Sequence, residues 1–136
     1  MQATPDLTTS TPEAAARTPL SSPRLLLHIE GLTLFAAAVI AYAYLHGSGL
    51  MFAVLLLAPD LTFFAFLAGN RIGAWAYNIV HHPLLPGMLI GLALATGAQT
   101  ALLVGLIWLA HIGMDRVAGY GYKYPFSFKV THMQKA

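Results

Sequence analysis

The sequence contains no cysteine among its 136 residues and has few charged side chains. Without cysteine, disulfides, thiolate zinc sites and a cysteine nucleophile are all excluded. Charged residues make up only 9% of the chain, whereas an ordinary soluble domain carries roughly 25%. The seven Lys and Arg residues are scattered rather than clustered into a basic stripe, so we expect no nucleic-acid partner.

Hydrophobic residues, in contrast, account for 57% of the chain. A compact core of this length cannot bury so much apolar surface, because small domains bury a smaller fraction of their area than large ones. The lipid bilayer is the simplest environment for the apolar surface that such a core leaves exposed. The composition therefore predicts an integral membrane protein.

Four apolar segments are each close to the roughly 20 residues that cross a bilayer. They cover about residues 25–45, 50–68, 72–95 and 98–118. The connections between them are very short, so we expect neighbouring helices to be antiparallel. The predicted fold is all-α, a polytopic domain of four antiparallel transmembrane helices at residues 24–118.

Two segments flank this domain. Residues 1–23 are rich in Thr, Pro, Ser and Ala and lack hydrophobic periodicity, which predicts a disordered tail. Residues 119–136 are aromatic and basic, which favours a surface tail anchored at the lipid headgroups. The alternative is a flap that covers the membrane domain and delivers Lys123 to a site there.

The basic residues predict the orientation of the chain. With four spans, both termini and the Gly69–Arg71 turn share one side of the membrane, and all seven Lys and Arg residues fall on that side. The positive-inside rule places this side in the cytoplasm. We expect a multi-pass protein of the plasma membrane with cytoplasmic termini. The sequence identifies no protein partner and leaves a homo-oligomer open.

Ionisable and strongly polar side chains interrupt the apolar segments. Burying such groups in hydrocarbon costs several kcal/mol each unless they pair, bind an ion or line water. Counting ~1.5 Å of rise per residue places the five counted side chains in the cytoplasmic half of the bilayer, namely Glu30, Asp60, His81, His111 and Asp115. This segregation predicts one shared site that opens to the cytoplasm. The interrupting residues are Glu30, Asp60, Asn78, His81, His82, His111 and Asp115.

The chemistry of these residues suggests a metal site. His111 and Asp115 are four residues apart and share a helix face, so both can ligate one divalent ion, or Asp115 can orient the imidazole. His81 is the ligand candidate from the third segment, and His82 lies beside it. The residues do not determine the cofactor, and a divalent metal such as zinc is the hypothesis.

The remaining candidates would supply catalysis and binding. Asp60 would be a fourth ligand or a general base, and Glu30 a proton acceptor. Asn78 and Lys123 would contact the substrate. Structural roles stay open: Glu30 could pair with Arg24 or Arg71, Asp115 with Arg116, and Asn78 could clamp two helices by hydrogen bonds.

Five strings of residues carry a likeness to known proteins: Pro59-Asp60-Leu61, Tyr77-Asn78-x-x-His81, His111-Ile-Gly-Met-Asp115-Arg116, Gly119-Tyr-Gly121-x-Lys123-Tyr-Pro125 and Thr131-His132. They resemble a family of small bacterial integral-membrane proteins catalogued only as a domain of unknown function. The resemblance spans about residues 24–134 and implies a four-helix fold in the inner membrane, but no activity. His82 and Tyr122 stand where the family usually has other residue types, which makes His82 a weaker ligand candidate than His81.

A fainter likeness, to metal-dependent inner-membrane hydrolases, bears on function. Those proteins also combine a Pro-Asp element with His and Asp on later helices, but their His-Arg-Gly and Thr-His-Ser strings are missing here. The leading hypothesis is a metal-dependent hydrolase of a lipid-phase or membrane-adjacent ester or phosphoester. A non-enzymatic membrane scaffold and a proton- or ion-coupled carrier subunit are the alternatives, so whether the protein is an enzyme stays open.

Overall fold

A computed structural model of the protein describes residues 23–124 and 127–131, with side chains for residues 23–122. The predicted disordered tail therefore lies outside the described residues, except for Pro23. The elements in chain order are α1 (Pro23–Tyr44), α2 (Gly49–Leu56), a 3₁₀ helix (Ala58–Ala68), α3 (Asn70–Val80), α4 (Leu84–Thr96), α5 (Gln99–Val117), β1 (Lys123–Tyr124) and β2 (Ser127–Thr131).

The helices form four stretches that are long and apolar enough to cross a membrane. They are Pro23–Tyr44, Gly49–Ala68, Asn70–Thr96 and Gln99–Val117, and are called spans 1 to 4 below. Many of their large apolar side chains are exposed on the protein surface, as lipid contact requires. The prediction of an all-α fold with four spans is confirmed, and it indicates a multi-pass membrane protein.

Span 4 is the central helix of the bundle. Its helix α5 contacts α1, α2 and α4 and supplies most of the buried residues. The closest approach is to α1, where a Cβ added to Gly113 would lie 2.6 Å from the backbone nitrogen of Phe35. Tyr42, near the end of α1, packs against Leu106, earlier in α5. These contacts are those of an antiparallel pair; the directions of the other helices stay a prediction.

Span 2 changes helix type at Pro59. Because proline has no N–H, the α-helical pattern cannot continue, and the Asp60 N–H bonds to the Leu57 carbonyl three residues back, at 3.1 Å. The tighter 3₁₀ helix then runs to Ala68, far beyond the usual three or four residues. The Leu56 carbonyl therefore lacks both of its ordinary helical donors. Pro59 has no N–H, and the Asp60 N–H bonds to the Leu57 carbonyl instead.

Span 3 is broken between α3 and α4. Pro83 cannot donate to the Val80 carbonyl, which instead accepts a hydrogen bond from the Trp108 indole of α5, at 2.8 Å. The backbone N–H of Leu84 donates to His82 Nδ1 at 3.1 Å, which caps the start of α4. The Val80 carbonyl and the Leu84 N–H therefore both have partners at the break.

The C-terminal end of α5 turns the chain back over the bundle. Gly119 has φ +88°, a left-handed conformation that favours glycine. Its N–H bonds to the Arg116 carbonyl at 3.2 Å, and the Tyr120 N–H bonds to the Asp115 carbonyl at 2.7 Å. This pair of bonds is a Schellman motif. It directs Tyr120–Tyr122 toward the polar groups of spans 3 and 4.

A short antiparallel hairpin follows this turn. Lys123 pairs with Thr131 and Tyr124 with Ser127. Both strands contact α3. The hairpin adds two strands to the otherwise helical chain, and whether it rests on the membrane surface, as the sequence suggests, stays a prediction.

Candidate metal centre

Four of the predicted site residues bring one ligand atom each to a common point. They come from three different spans, and the four atoms all lie within 4.8 Å of one another. The set, called the His–Asp cluster below, consists of Asp60, His81, His111 and Asp115.

Every contact between a histidine and another member of the His–Asp cluster lies between 3.1 and 3.8 Å. The two imidazole Nε2 atoms are 3.1 Å apart. Asp115 Oδ2 lies 3.5 Å from the Nε2 of each histidine. Asp60 Oδ1 lies 3.5 Å from His111 Nε2 and 3.8 Å from His81 Nε2. The four atoms are therefore close enough to one another to share one ion.

Burial within the cluster is graded. His111 is fully buried and His81 is 5% exposed. The side chain of Asp115 is 15% exposed, and that of Asp60 is 34% exposed. The two histidines are thus the buried members of the site, and Asp60 is its most exposed member.

His81 is oriented by its own helix. Its Nδ1 lies 2.9 Å from the backbone carbonyl oxygen of Tyr77, one turn earlier in α3. Because a carbonyl can only accept, Nδ1 carries the proton, and the neutral ring directs the lone pair of Nε2 into the cluster. The Tyr77 ring stacks on the imidazole with centroids 3.6 Å apart and an interplanar angle of 14°.

Tyr77 belongs to the site although sequence reasoning did not select it as a site residue. Its hydroxyl donates to Asp115 Oδ2 at 3.0 Å, so one side chain holds both His81 and Asp115. The residue is 1% exposed. A signal was present in the sequence, because Tyr77 precedes His81 by four residues and so shares its helix face.

His111 enters the cluster from the central helix α5, four residues before Asp115. Its Nδ1 is buried and has no hydrogen-bond partner of ordinary geometry among the described residues. The backbone of Leu56 lies beside this imidazole. Leu56 lies in span 2, so span 2 approaches His111 through its backbone as well as through Asp60.

Other predicted site residues lie outside the cluster. His82 is exposed, caps α4 with its Nδ1, and stacks on Tyr122 with ring centroids 5.8 Å apart. Asn78 lines an opening that it shares with His82, on the other side of Tyr122. Lys123 begins β1, where the structure describes the backbone but not the side chain.

Glu30 is also separate from the cluster. Its carboxylate forms a hydrogen-bonded ion pair with the guanidinium of Arg116. The sequence had suggested Arg24 or Arg71 as structural partners, and the structure places Arg116 there instead. The Glu30 side chain is 55% exposed, whereas that of Arg116 is 10% exposed.

A narrow cleft, called the metal cleft below, leads to the cluster. It contains about 230 Å³ of open space, and its enclosed part has room for about one water molecule. The segment after the Schellman motif forms one wall, which brings the aromatic part of the tail to the site. The lining residues are Tyr77, His81, Ile112, Asp115, Arg116, Tyr120, Gly121 and Tyr122.

The cluster has the size of a zinc site. Four ligand atoms at 2.0–2.1 Å from a tetrahedral zinc ion are separated from one another by about 3.3 to 3.4 Å. The five distances given above run from 3.1 to 3.8 Å. Two imidazole nitrogens and two carboxylate oxygens are also ligand types that divalent first-row metals accept.

Comparison with known proteins identifies the family but not an activity. No curated protein and no solved structure matches the chain. One family model, described as a domain of unknown function (DUF4260), matches residues 24–136. The resemblance suggested by the sequence strings is thereby confirmed, and since the match covers all four spans, the chain belongs to the DUF4260 family.

Proposed function

We propose that this protein is a metal-dependent membrane hydrolase. The His–Asp cluster would hold a divalent ion such as zinc, and the reaction would cleave an ester or phosphoester in the lipid phase or at the membrane surface. The observation that carries the proposal is the convergence of four ligand atoms from three spans, with the lone pair of His81 Nε2 directed to their centre.

The placement of the two imidazoles supports a cation between them. Their Nε2 atoms face each other at 3.1 Å in the buried part of the site. Because His81 Nε2 carries a lone pair, either a metal ion lies between the two atoms or His111 Nε2 carries a proton and donates it to His81. The Tyr77 carbonyl already holds the His81 proton on Nδ1. Such outer hydrogen bonds commonly orient the histidines that bind metals.

The charge of the cluster supports a divalent ion specifically. Asp60 and Asp115 bring two carboxylates to a site inside the spans, where the effective dielectric is low. Placing two negative charges together there is costly unless a cation balances them. A 2+ ion neutralises the pair, and the neighbouring Glu30–Arg116 ion pair is neutral in itself.

The proposed chemistry is activation of water. A bound divalent ion lowers the pKa of its water toward about 7 and polarises a carbonyl or phosphoryl oxygen. Asp60 is the most exposed member of the cluster, which suits either a fourth ligand or the base that takes the proton from water. The water oxygen would bond to the carbonyl carbon or the phosphorus, and the alcohol would leave with a proton.

The proposed location is the inner membrane, with the cluster open to the cytoplasm. Arg71 lies at the connection between spans 2 and 3, and Arg116 lies in the last turn of span 4, next to the metal cleft. The positive-inside rule assigns this end of the bundle to the cytoplasm. A substrate would therefore enter from the cytoplasmic leaflet.

Metal analysis of the purified protein tests the proposal. We expect about one zinc ion per chain in the wild type, and loss of that ion in His111→Ala. The matched control is His82→Asn, which changes a histidine outside the cluster and keeps an acceptor for the Leu84 N–H. Hydrolysis of chromogenic esters and phosphoesters should follow the zinc content. A wild-type protein that binds no divalent ion would contradict the proposal.

One observation favours a second candidate function. Four protein ligands complete a tetrahedral shell, and the enclosed part of the metal cleft has room for about one water molecule. This is the arrangement of a structural zinc site, which would fasten spans 2, 3 and 4 in a non-enzymatic membrane scaffold. Stoichiometric zinc whose removal lowers stability, with no hydrolysis of any ester or phosphoester tested, would favour this function.

A further inference from the structure

A second opening, called the lateral groove below, lies beside the metal cleft at the break in span 3. Its cavity volume is about 550 Å³, within the range of small-molecule sites. Its apolar walls are Trp75, Ile79, Leu84 and Leu85. Three polar side chains, Asn78, His82 and Tyr122, complete it.

The lateral groove adjoins the metal cleft. Tyr122 lines both openings. His81 lines the metal cleft and His82 lines the lateral groove, so the break in span 3 turns two adjacent histidines to two neighbouring spaces. The stack of Tyr122 on His82 forms the partition between them. A molecule that occupies both the metal cleft and the lateral groove would contact the stacked rings of His82 and Tyr122.

The walls of the lateral groove face the bilayer. Trp75 is 68% exposed and Leu84 is 59% exposed, and both belong to span 3. Apolar side chains that are exposed within a span contact lipid hydrocarbon rather than water. The chemistry of the walls therefore matches an acyl chain.

The polar side of the groove suits the oxygen atoms of a lipid. His82 Nδ1 accepts the Leu84 N–H, so the neutral ring carries its proton on Nε2 and can donate from there. An acyl ester carbonyl or a phosphate oxygen of a lipid drawn into the groove could accept this hydrogen bond.

We propose that the lateral groove holds the acyl chain of a membrane lipid whose ester or phosphoester bond lies at the His–Asp cluster. The substrate class of the proposed hydrolase would then be an acyl lipid that enters sideways from the bilayer. This inference rests on the proposed function for the cluster but makes a separate claim about the groove.

Fluorescence of Trp75 tests the groove directly. The chain has two tryptophans, so Trp108→Phe leaves Trp75 as the single reporter. A lysophospholipid with a brominated acyl chain, titrated into the zinc-loaded protein in dodecyl maltoside, should quench Trp75 saturably, and unbrominated lysophospholipid should reverse the quenching. If Trp108→Phe does not fold, the difference between wild type and Trp75→Phe reports the same signal.

Two leucines of α4 provide the matched variants. Leu85→Phe adds bulk inside the groove and should raise the half-quenching concentration by about fivefold or more, the effect of excluding one to two methylene groups. Leu92→Phe makes the same change at a 63% exposed position outside the groove and should leave the titration unchanged. Quenching that is linear in lipid concentration and equal in both variants overturns the proposal.

Repeating the lipid titration without zinc distinguishes this inference from the proposed function. Removing zinc with a chelator should weaken lipid binding, because the headgroup loses its contact with the cluster; saturable binding that is identical with and without zinc overturns the link between groove and cluster. Stoichiometric zinc with linear quenching contradicts the groove and leaves the metal centre standing. Saturable quenching in a protein that binds no zinc contradicts the hydrolase, and with it the role of the lipid as its substrate.

Discussion

Tyr77 and His81 are one helical turn apart in α3, and Tyr77 acts on the histidine through both its backbone and its ring. The backbone carbonyl of Tyr77 accepts from His81 Nδ1 at 2.9 Å, and the two rings are stacked. The hydroxyl of the same tyrosine donates to Asp115 of α5. Tyr77 thus orients two of the four proposed ligands, one from its own span and one from another.

Removing the Tyr77 hydroxyl should weaken metal binding without abolishing it. Tyr77→Phe keeps the ring stack and the backbone carbonyl but leaves Asp115 without this donor. Partners of this kind typically contribute 10- to 100-fold in metal affinity, so we expect a loss of about tenfold in a zinc competition titration. Tyr42→Phe is the matched control, because it removes a hydroxyl that bonds to the Ser48 carbonyl, far from the cluster. Equal zinc affinity in both variants would contradict the assigned role.

Removing zinc should destabilise the wild-type bundle. Because the cluster joins spans 2, 3 and 4, a bound ion favours the folded state. The expected stabilisation is about 3 to 4 kcal/mol at zinc concentrations roughly 100 to 1,000 times the dissociation constant. Thermal unfolding in detergent, with and without chelator, measures it. His111→Ala should unfold at the same temperature in both conditions, and a zinc-dependent shift that survives in this variant would place the ion elsewhere.

The Glu30–Arg116 pair should matter for stability rather than for zinc. Glu30→Gln leaves the mostly buried guanidinium of Arg116 without its counter-charge, so we expect a loss of about 1 to 3 kcal/mol. The double variant Glu30→Gln/Arg116→Gln should recover part of this loss, because the uncompensated charge is gone. Zinc content should stay near one per chain in all of them. Loss of zinc in Glu30→Gln would contradict the separation of Glu30 from the cluster.

The approach of α1 to α5 should not tolerate a methyl group at Gly113. A Cβ at this position would meet backbone atoms of Phe35 and Gly31 at 2.6 to 2.9 Å. We expect Gly113→Ala to cost about 1 to 3 kcal/mol, seen as a lower unfolding temperature. Gly91→Ala is the matched control, because nothing lies within 4 Å of its Cβ and alanine is the better helix former. A Gly113→Ala protein as stable as this control would show that the two helices can separate at no cost.

Sequence reasoning could predict the spans, because apolar length determines them, whereas the depth of the polar residues in the membrane stays a prediction. It could also pair His111 with Asp115, since a spacing of four residues places them on one face of a helix. It could not predict the rotation of each helix, because nearly every face of these spans is apolar. Glu30 shows the consequence: its predicted depth matched the other candidates, but it faces Arg116 rather than the cluster.

The sequence also could not predict the hydrogen bonding at the two breaks in the spans. Pro59 and Pro83 indicate irregular helices, but not where the freed carbonyls find partners. The Val80 carbonyl bonds to the Trp108 indole, which is remote in sequence. His81 and His82 are adjacent and chemically alike, and the break decides that one enters the cluster while the other caps α4.

Zinc K-edge absorption of the purified, zinc-loaded protein tests the central claim most directly. We predict a four-coordinate ion with two imidazole nitrogens and two oxygen ligands at about 2.0 to 2.2 Å. His81→Ala should either lose the ion or hold it with one imidazole fewer, whereas His82→Asn should leave the spectrum unchanged. A six-coordinate ion without imidazole scattering, or a spectrum unaffected by His81→Ala, would contradict the assignment of the His–Asp cluster as a metal site.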